Sequence, residues 1–282
     1  MPCHRKDLAT LPFCVDALRS HPQVASVSVI ADRSLQPECE RLEVGFVDEL
    51  SLLEPWFASD EPTGNPRWYY QMFLKLSLAF AEEGALASGQ PPLDRYLIVD
   101  ADTVLLNPFA LIDEQLGTVL APRMSEHFQS YFSGIRELLG EDVAYEGSHN
   151  AHFMVFRVPL IRAMFDEFAR VAGRGTDDGR DVLRAFLQRC DRHSLSFADY
   201  ETYGYFVRRH FPDELAWAER RQLNVLYVSP NAHAITRLRP YYHYCSFHAY
   251  RRPGRLSLRA AGSAWLELRL ARDRLGDHRV CA

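Results

Sequence analysis

The sequence predicts an α/β protein with a mostly parallel central sheet flanked by helices, organised as a single domain with a helical extension at its C-terminal end. Three observations carry this. Residues 24–30 and 42–47 have the apolar patterning of short strands, and a short helix over 11–18 precedes them, which gives the alternating units from which parallel sheets are wound. Tyr96-Leu97-Ile98-Val99 is an unbroken apolar run, as in a strand buried on both faces. Residues 153–158 form another such strand, and Pro159 behind it opens a helix reaching Ala172. A chain of 282 residues buries one full α/β core, assigned to 1–255, and leaves 256–282 as the extension.

Composition narrows the function. A net charge of −5 spread over an ordinary globular composition gives no basis for a nucleic-acid partner. Cys3, Cys14, Cys39, Cys190, Cys245 and Cys281 are scattered without a Cys-x-x-Cys pair, which points to reduced thiols rather than a disulfide framework or a zinc site. The first residues lack the apolar stretch of a signal peptide, and no run approaches the roughly 18 apolar residues of a membrane span. The chain therefore reads as cytoplasmic.

Along the chain, Asp32 ends the first strand, and the turn-rich stretch from Glu61 to Pro66 leads into a helix. On that helix Tyr69, Met72, Phe73, Leu76 and Phe80 form a core-facing stripe, while Trp68, Gln71 and Lys75 share another side. Residues 116–121 read as a strand ending at Pro122. The stretch from His127 to Tyr145 shows no clear period and is assigned to acceptor-side loops. Residues 181–190 read as a helix and 225–228 as a late strand, followed by the aromatic and basic segment 241–252.

The stretch that organises the rest is Val99-Asp100-Ala101-Asp102-Thr103, where a buried strand ends in two carboxylates. Two such charges about 4 Å apart repel by about 4 kcal/mol at an effective dielectric near 20, so the fold must solvate them or place a cation between them. A divalent cation such as Mn²⁺ or Mg²⁺ does the second and leaves coordination positions for substrate phosphates. For an isolated Asp-x-Asp, a capping Asp100 and a solvated loop Asp102 are the more frequent alternative, because the pattern is short and common.

Trp68-Tyr69-Tyr70-Gln71-Met72-Phe73-Leu74-Lys75-Leu76, the strand, the Asp-Ala-Asp block and Asn107-Pro108-Phe109 together resemble the GT-A (Rossmann-like) glycosyltransferases, in particular the bacterial polysaccharide-biosynthesis type. The resemblance implies transfer of a sugar from a nucleotide-diphosphate donor, UDP favoured, to a glycan or lipid-linked acceptor. It implies metal ligation by Asp100 and Asp102 with His248 as a third ligand and His243 as the substitute. Asp100 would also contact the nucleotide. Gln71 and Lys75 would face the nucleotide; Asn150, with His149 and His152 beside it, would approach the donor sugar. Arg251, Arg252 or Arg255 would meet the diphosphate. Asp199 and Glu201 are the candidates for the carboxylate that removes the acceptor's proton. The loop over residues 2–7 resembles the nucleotide-touching loop, although no strand precedes it.

Other readings stay open. Asp100-Ala101-Asp102-Thr103-Val104 also fits the opening of the haloacid-dehalogenase phosphatase signature, with Asp100 as nucleophile, Asp102 as acid and Asp177-Asp178 as the later pair. A non-catalytic nucleotide-sugar-binding domain is the third. The eight arginines from Arg251 to Arg279, with Ala264, Leu268, Ala271 and Leu275 on one helical face, allow either peripheral contact with an anionic membrane or packing on the domain.

Overall fold

The computed structural model describes residues 1–56, 65–81, 93–125, 127–175, 179–190, 195–226 and 229–248. The first strand order runs α1 (Leu11–Arg19), β1 (Ser28–Ala31), α2 (Gln36–Arg41), β2 (Gly45–Asp48) and α3 (Glu49–Leu52). Parallel pairing of β1 with β2 follows from the crossover through α2. The segment ahead of α1 forms no strand but makes one parallel bridge to β1. Pro2 bridges Ile30 in parallel, with Cys3 N–H donating to Ile30 O at 2.9 Å and Ile30 N–H to Met1 O at 2.9 Å. The loop carrying Lys6 and Asp7 thus does leave an extended segment beside β1.

Next come α4 (Asn65–Ser77), β3 (Arg95–Val99), β4 (Thr103–Leu105), β5 (Val119–Pro122) and α5 (Gln129–Leu139). Helix α4 buries Tyr69, Met72, Phe73 and Leu76, the stripe read from the sequence. Helix α5 corrects the assignment of its segment to loops. Its buried residues Tyr131, Phe132, Ile135, Leu138 and Leu139 recur at helical spacing, and Gly140 closes it in the left-handed region at φ 69°. Gly134 and the serines dilute that period in the sequence. Gly134 is there because a Cβ would lie 1.8 Å from Ser196 O.

The chain continues through β6 (Phe153–Arg157), α6 (Val158–Val171), α7 (Gly179–Arg189), α8 (Asp199–His210), β7 (Leu215–Ala218), β8 (Gln222–Leu226), α9 (Ala232–Leu238) and β9 (Tyr244–His248). Phe156, Ile161, Met164, Phe165 and Phe168 lie in the core with Phe73 and Tyr203. The fold is mixed α/β. Its described strands pair as β1–β2, β3–β6, β4–β9–β8 and β5–β7. Of these pairings β3–β6 and β4–β9 are antiparallel and the rest parallel, so the described sheets are small and mixed. Both antiparallel pairings serve the acid pair. Val99 at the end of β3 faces Phe153 at the start of β6, and Thr103 at the start of β4 faces Ser246 in the middle of β9, two residues before His248 at its end. A parallel partner in either place would present its opposite end.

The extension at 256–282 lies outside the described residues, as do Arg251, Arg252 and Arg255 just before it and Asp177 and Asp178. Among the described residues no helix is long and apolar enough to cross a membrane.

Candidate metal and donor site

Asp100, Ala101 and Asp102 occupy a tight turn between β3 and β4, closed by Thr103 N–H donating to Asp100 O at 2.9 Å. The turn is held on three sides. Asp100 N–H donates to His152 O at 2.9 Å, Phe247 N–H to Asp102 O at 2.7 Å, and the Cys14 thiol to Ala101 O at 3.3 Å. Below it the Thr103 and Ser246 hydroxyls meet at 2.8 Å. The amide of Asp100 and the carbonyls of Asp100, Ala101 and Asp102 are therefore all engaged, which fixes the carboxylates relative to the neighbouring strands.

Those carboxylates face a cavity of about 550 Å³. Asp100, Asp102 and His152 each offer a ligand atom, and the three atoms lie within 4.8 Å of one another. His152 Nδ1 is 3.3 Å from Asp100 Oδ2, and His248 Nδ1 is 3.0 Å from Asp102 Oδ2. The two rings are 5.4 Å apart. His152 adopts φ 64°, a left-handed conformation in which histidine is enriched among non-glycine residues but which remains uncommon. Two carboxylates and imidazole nitrogens are a donor set suited to a divalent cation, with oxygen favouring Mg²⁺ or Mn²⁺ and imidazole tilting the choice toward transition metals.

Lys75 sits against the other oxygen of Asp100. Its Nζ lies 2.7 Å from Asp100 Oδ1, 3.2 Å from Asp199 Oδ2 and 4.1 Å from the centre of the Tyr200 ring. Tyr200 Oη donates to Asp100 Oδ1 at 3.0 Å. Burial alone would strip the charge from each of these groups, but the opposite charges outweigh it. Lys75 is held above the usual lysine value by Asp100 and Asp199 against the pull of burial. Asp100 is held well below the carboxylate range by Lys75 and His152 despite its burial. His152 is raised, with the Asp100 hydrogen bond and charge overcoming burial. Asp199 is the partner that gives way: burial, with Asp100 nearby, pushes it up to about 6 although Lys75 opposes this.

The remaining sequence candidates separate clearly. Gln71 and Asn150 line the cavity with Lys75 and Asp199. Glu201 does not line it. Its buried Oε2 accepts from the Ser148 hydroxyl and from His149 N–H, both at 2.7 Å, and burial raises its pKa. Two residues along a helix rotate a side chain by roughly 200°, so Asp199 and Glu201 cannot face the same space. Glu201 braces the turn that carries Asn150 and His152. His149 is packed away from the cavity against Trp217, ring centres 4.0 Å apart, and burial depresses it to about 3. His243 Nδ1 accepts from Arg221 N–H at 2.9 Å outside the site, which leaves His248 as the histidine of that segment beside Asp102.

Sequence reasoning placed His152 near the sugar and did not group it with the acids, whereas its ligand atom lies within 4.8 Å of theirs. It named Lys6 and Asp7 only as part of the loop over residues 2–7 and did not name Tyr200 or Asn224 as site residues; all four line the same cavity. Asp7 is pushed up to about 6 by burial, with the charges of Asp102 and Asp100 adding to it, so it lies on the acid side of the cavity. The crowding of polar residues over 148–152 was the available signal for His152; Tyr200 gave none beyond its place next to Asp199.

No family model matches the chain, and no curated protein matches it. Among solved structures it is similar to mouse xyloside xylosyltransferase 1 in its apo form, with 12% identity, a TM-score of 0.40, and coverage of 89% of this chain and 93% of that one. A likeness at that level carries none of the functional argument, which rests on the side chains.

Proposed function

We propose that this chain is a metal-dependent glycosyltransferase of GT-A type that takes a nucleotide-diphosphate sugar, UDP favoured, and passes the sugar to a glycan or lipid-linked acceptor. The observation that carries the reading is the convergence of Asp100, Asp102 and His152 within 4.8 Å at the wall of a cavity large enough for a nucleotide sugar, with His248 at 3.0 Å from Asp102. Asp100 through Oδ2, Asp102 and His152 would hold Mn²⁺ or Mg²⁺, with His248 beside Asp102, while Lys75 and Tyr200 keep Asp100 Oδ1. The cation, when bound, offsets the negative charge that grows on the departing nucleotide diphosphate.

The chain's own groups supply the rest. Lys75 orients Asp100 and brings positive charge to the wall where phosphates would lie. Gln71, one turn before Lys75 on α4, offers an amide to the donor, and Asn150 does so from the turn before β6. Asp199 is the carboxylate available to accept the acceptor's proton, because Glu201 is turned away and committed to Ser148 and His149. With its pKa near 6, Asp199 is ionised in the range where such a base would work.

The test is thermal shift against nucleotide diphosphates with and without Mn²⁺, on the native chain and on Asp102→Asn. Metal-dependent stabilisation by one nucleotide, lost in the variant, is the expected result. Equal stabilisation of both proteins would remove the metal from the reading, and no stabilisation by any nucleotide diphosphate would remove the transferase.

A further inference from the structure

The cavity has two chemically different ends, and α4 runs between them. Trp68, Gln71, Met72 and Lys75 all line it from that one helix. Seven residues at roughly 1.5 Å each separate Trp68 from Lys75 by about 10 Å along the axis. At the Lys75 end are Asp100, Asp102, Asp199, His152 and His248, with Asp7 electrostatically coupled to the acid pair. Leu195, Phe128 and Tyr131 also line the cavity. Ser196 N–H donates to Tyr69 Oη at 3.1 Å beside Trp68, and α5 is packed so closely on the same segment that a Cβ on Gly134 would lie 1.8 Å from Ser196 O, which brings the helix headed by Phe128 and Tyr131, whose rings meet edge to face at 5.3 Å, toward the Trp68 end.

Phe128 is the informative residue. It is 37% exposed although it sits at the head of α5 with a packed ring beside it, while Tyr131 one turn on is 3% exposed. An exposed aromatic ring among the lining of a cavity, without a charged side chain among these four lining residues, does not match a phosphate. It matches a neutral ring with one apolar face. A pyranose is such a ring, because its hydroxyls lie around the rim while axial C–H bonds converge on one side, and those hydrogens meet the electron-rich face of an arene. Amides of Gln71 and Asn150 lie further in to take rim hydroxyls.

We infer that the Trp68–Phe128–Tyr131–Leu195 end of the cavity is the acceptor subsite, and that it takes an uncharged pyranoside stacked on Phe128. The inference rests on the transferase reading for the word acceptor, but the binding itself does not. It favours the glycan over a bare lipid as the recognised part of the acceptor. It also sets the acceptor hydroxyl between the aromatic end and Asp199, which lies at the Lys75 end of the cavity.

The experiment is saturation-transfer NMR with methyl β-D-glucopyranoside, methyl β-D-galactopyranoside and methyl α-D-mannopyranoside at millimolar concentration, without nucleotide or metal. It is run on the native chain, Phe128→Ala and Phe128→Tyr. At least one glycoside is expected to receive saturation, more strongly on the ring C–H protons of one face than on the methyl group. Phe128→Ala should weaken it roughly five- to tenfold and Phe128→Tyr should restore it. Calorimetric affinity for UDP with Mn²⁺ should stay within twofold in both variants. Three silent glycosides, or equal saturation in native chain and Phe128→Ala, overturns the proposal. So does a loss of UDP affinity in Phe128→Ala that matches the loss of sugar, because the aromatic end would then hold the base. A sugar signal that depends on Phe128 in a protein that binds no nucleotide supports the platform while removing the transferase reading.

Discussion

Replacing Lys75 by Met is the most exacting test of the electrostatic design. Lys75 is 3% exposed and its ammonium lies within 3.2 Å of both Asp100 and Asp199. Methionine keeps the stem's volume but leaves two carboxylates facing each other in a buried wall. Removing one partner of a buried ion pair costs about 3–5 kcal/mol. With an unfolding entropy near 2.1 cal/mol/K per residue, about 4 kcal/mol in a chain of 282 residues lowers Tm by roughly 7 °C. The deficit must depend on pH. Without the ammonium, burial and mutual repulsion raise the folded pKa of Asp100 and Asp199 above their unfolded values. The folded state then binds more protons than the unfolded state across that window, so the variant gains stability relative to the native chain as pH falls through it. Mn²⁺ should also recover more Tm in Lys75→Met than in the native chain, since a cation returns to the same carboxylates. Differential scanning fluorimetry at pH 5.5 and 8, with and without Mn²⁺, reads all three effects. A variant within 1 °C of the native chain at pH 8, or a deficit identical at both pH values, would refute the assignment of Lys75 as the counter-ion of the acids.

Three further changes test the supporting structure. Glu201→Ala removes the acceptor of two buried hydrogen bonds from Ser148 and His149, which should cost about 2–4 kcal/mol in urea denaturation and weaken Mn²⁺ affinity roughly tenfold through the loosened His152 turn. His149 is neutral in the fold, with a pKa near 3 against 6.5 for the exposed side chain, so the unfolded state binds the extra proton between these values. Its contribution is intact above pH 6.5 and is lost as pH falls, at about 1.4 kcal/mol per unit; His149→Phe, which preserves the stack on Trp217, should flatten the denaturation free energy by that slope between pH 6.5 and 5. Gly134→Ala gains about 1 kcal/mol of helix propensity in α5 but drives a methyl to 1.8 Å from Ser196 O, so calorimetry should show a net loss of stability rather than a gain.

What the sequence determined by itself was local. The run Tyr96 to Asp102 reported a buried strand ending in charge because burial on both faces selects unbroken apolar residues, and charge beyond it demands solvent or a cation. Period 3.6 placed Lys75 and Gln71 on one side of α4 and the aromatic stripe on the other. The same arithmetic already separates Asp199 from Glu201, two apart on one helix. Tertiary structure decided which of them faces the cavity, with α8 packed so that Glu201 meets the Ser148 turn. It also set β6 and β9 antiparallel to β3 and β4, which carries His152 and His248 to the acids from 52 and 146 residues away along the chain. Pairing partners and strand direction are settled by long-range packing and by closing loops whose entropy depends only weakly on their length, so no local pattern records them. The acids were legible because they end a strand; His248 and His152 were named only through the family resemblance, and it is the meeting of β9 and β6 with the turn that sets them beside Asp102 and Asp100.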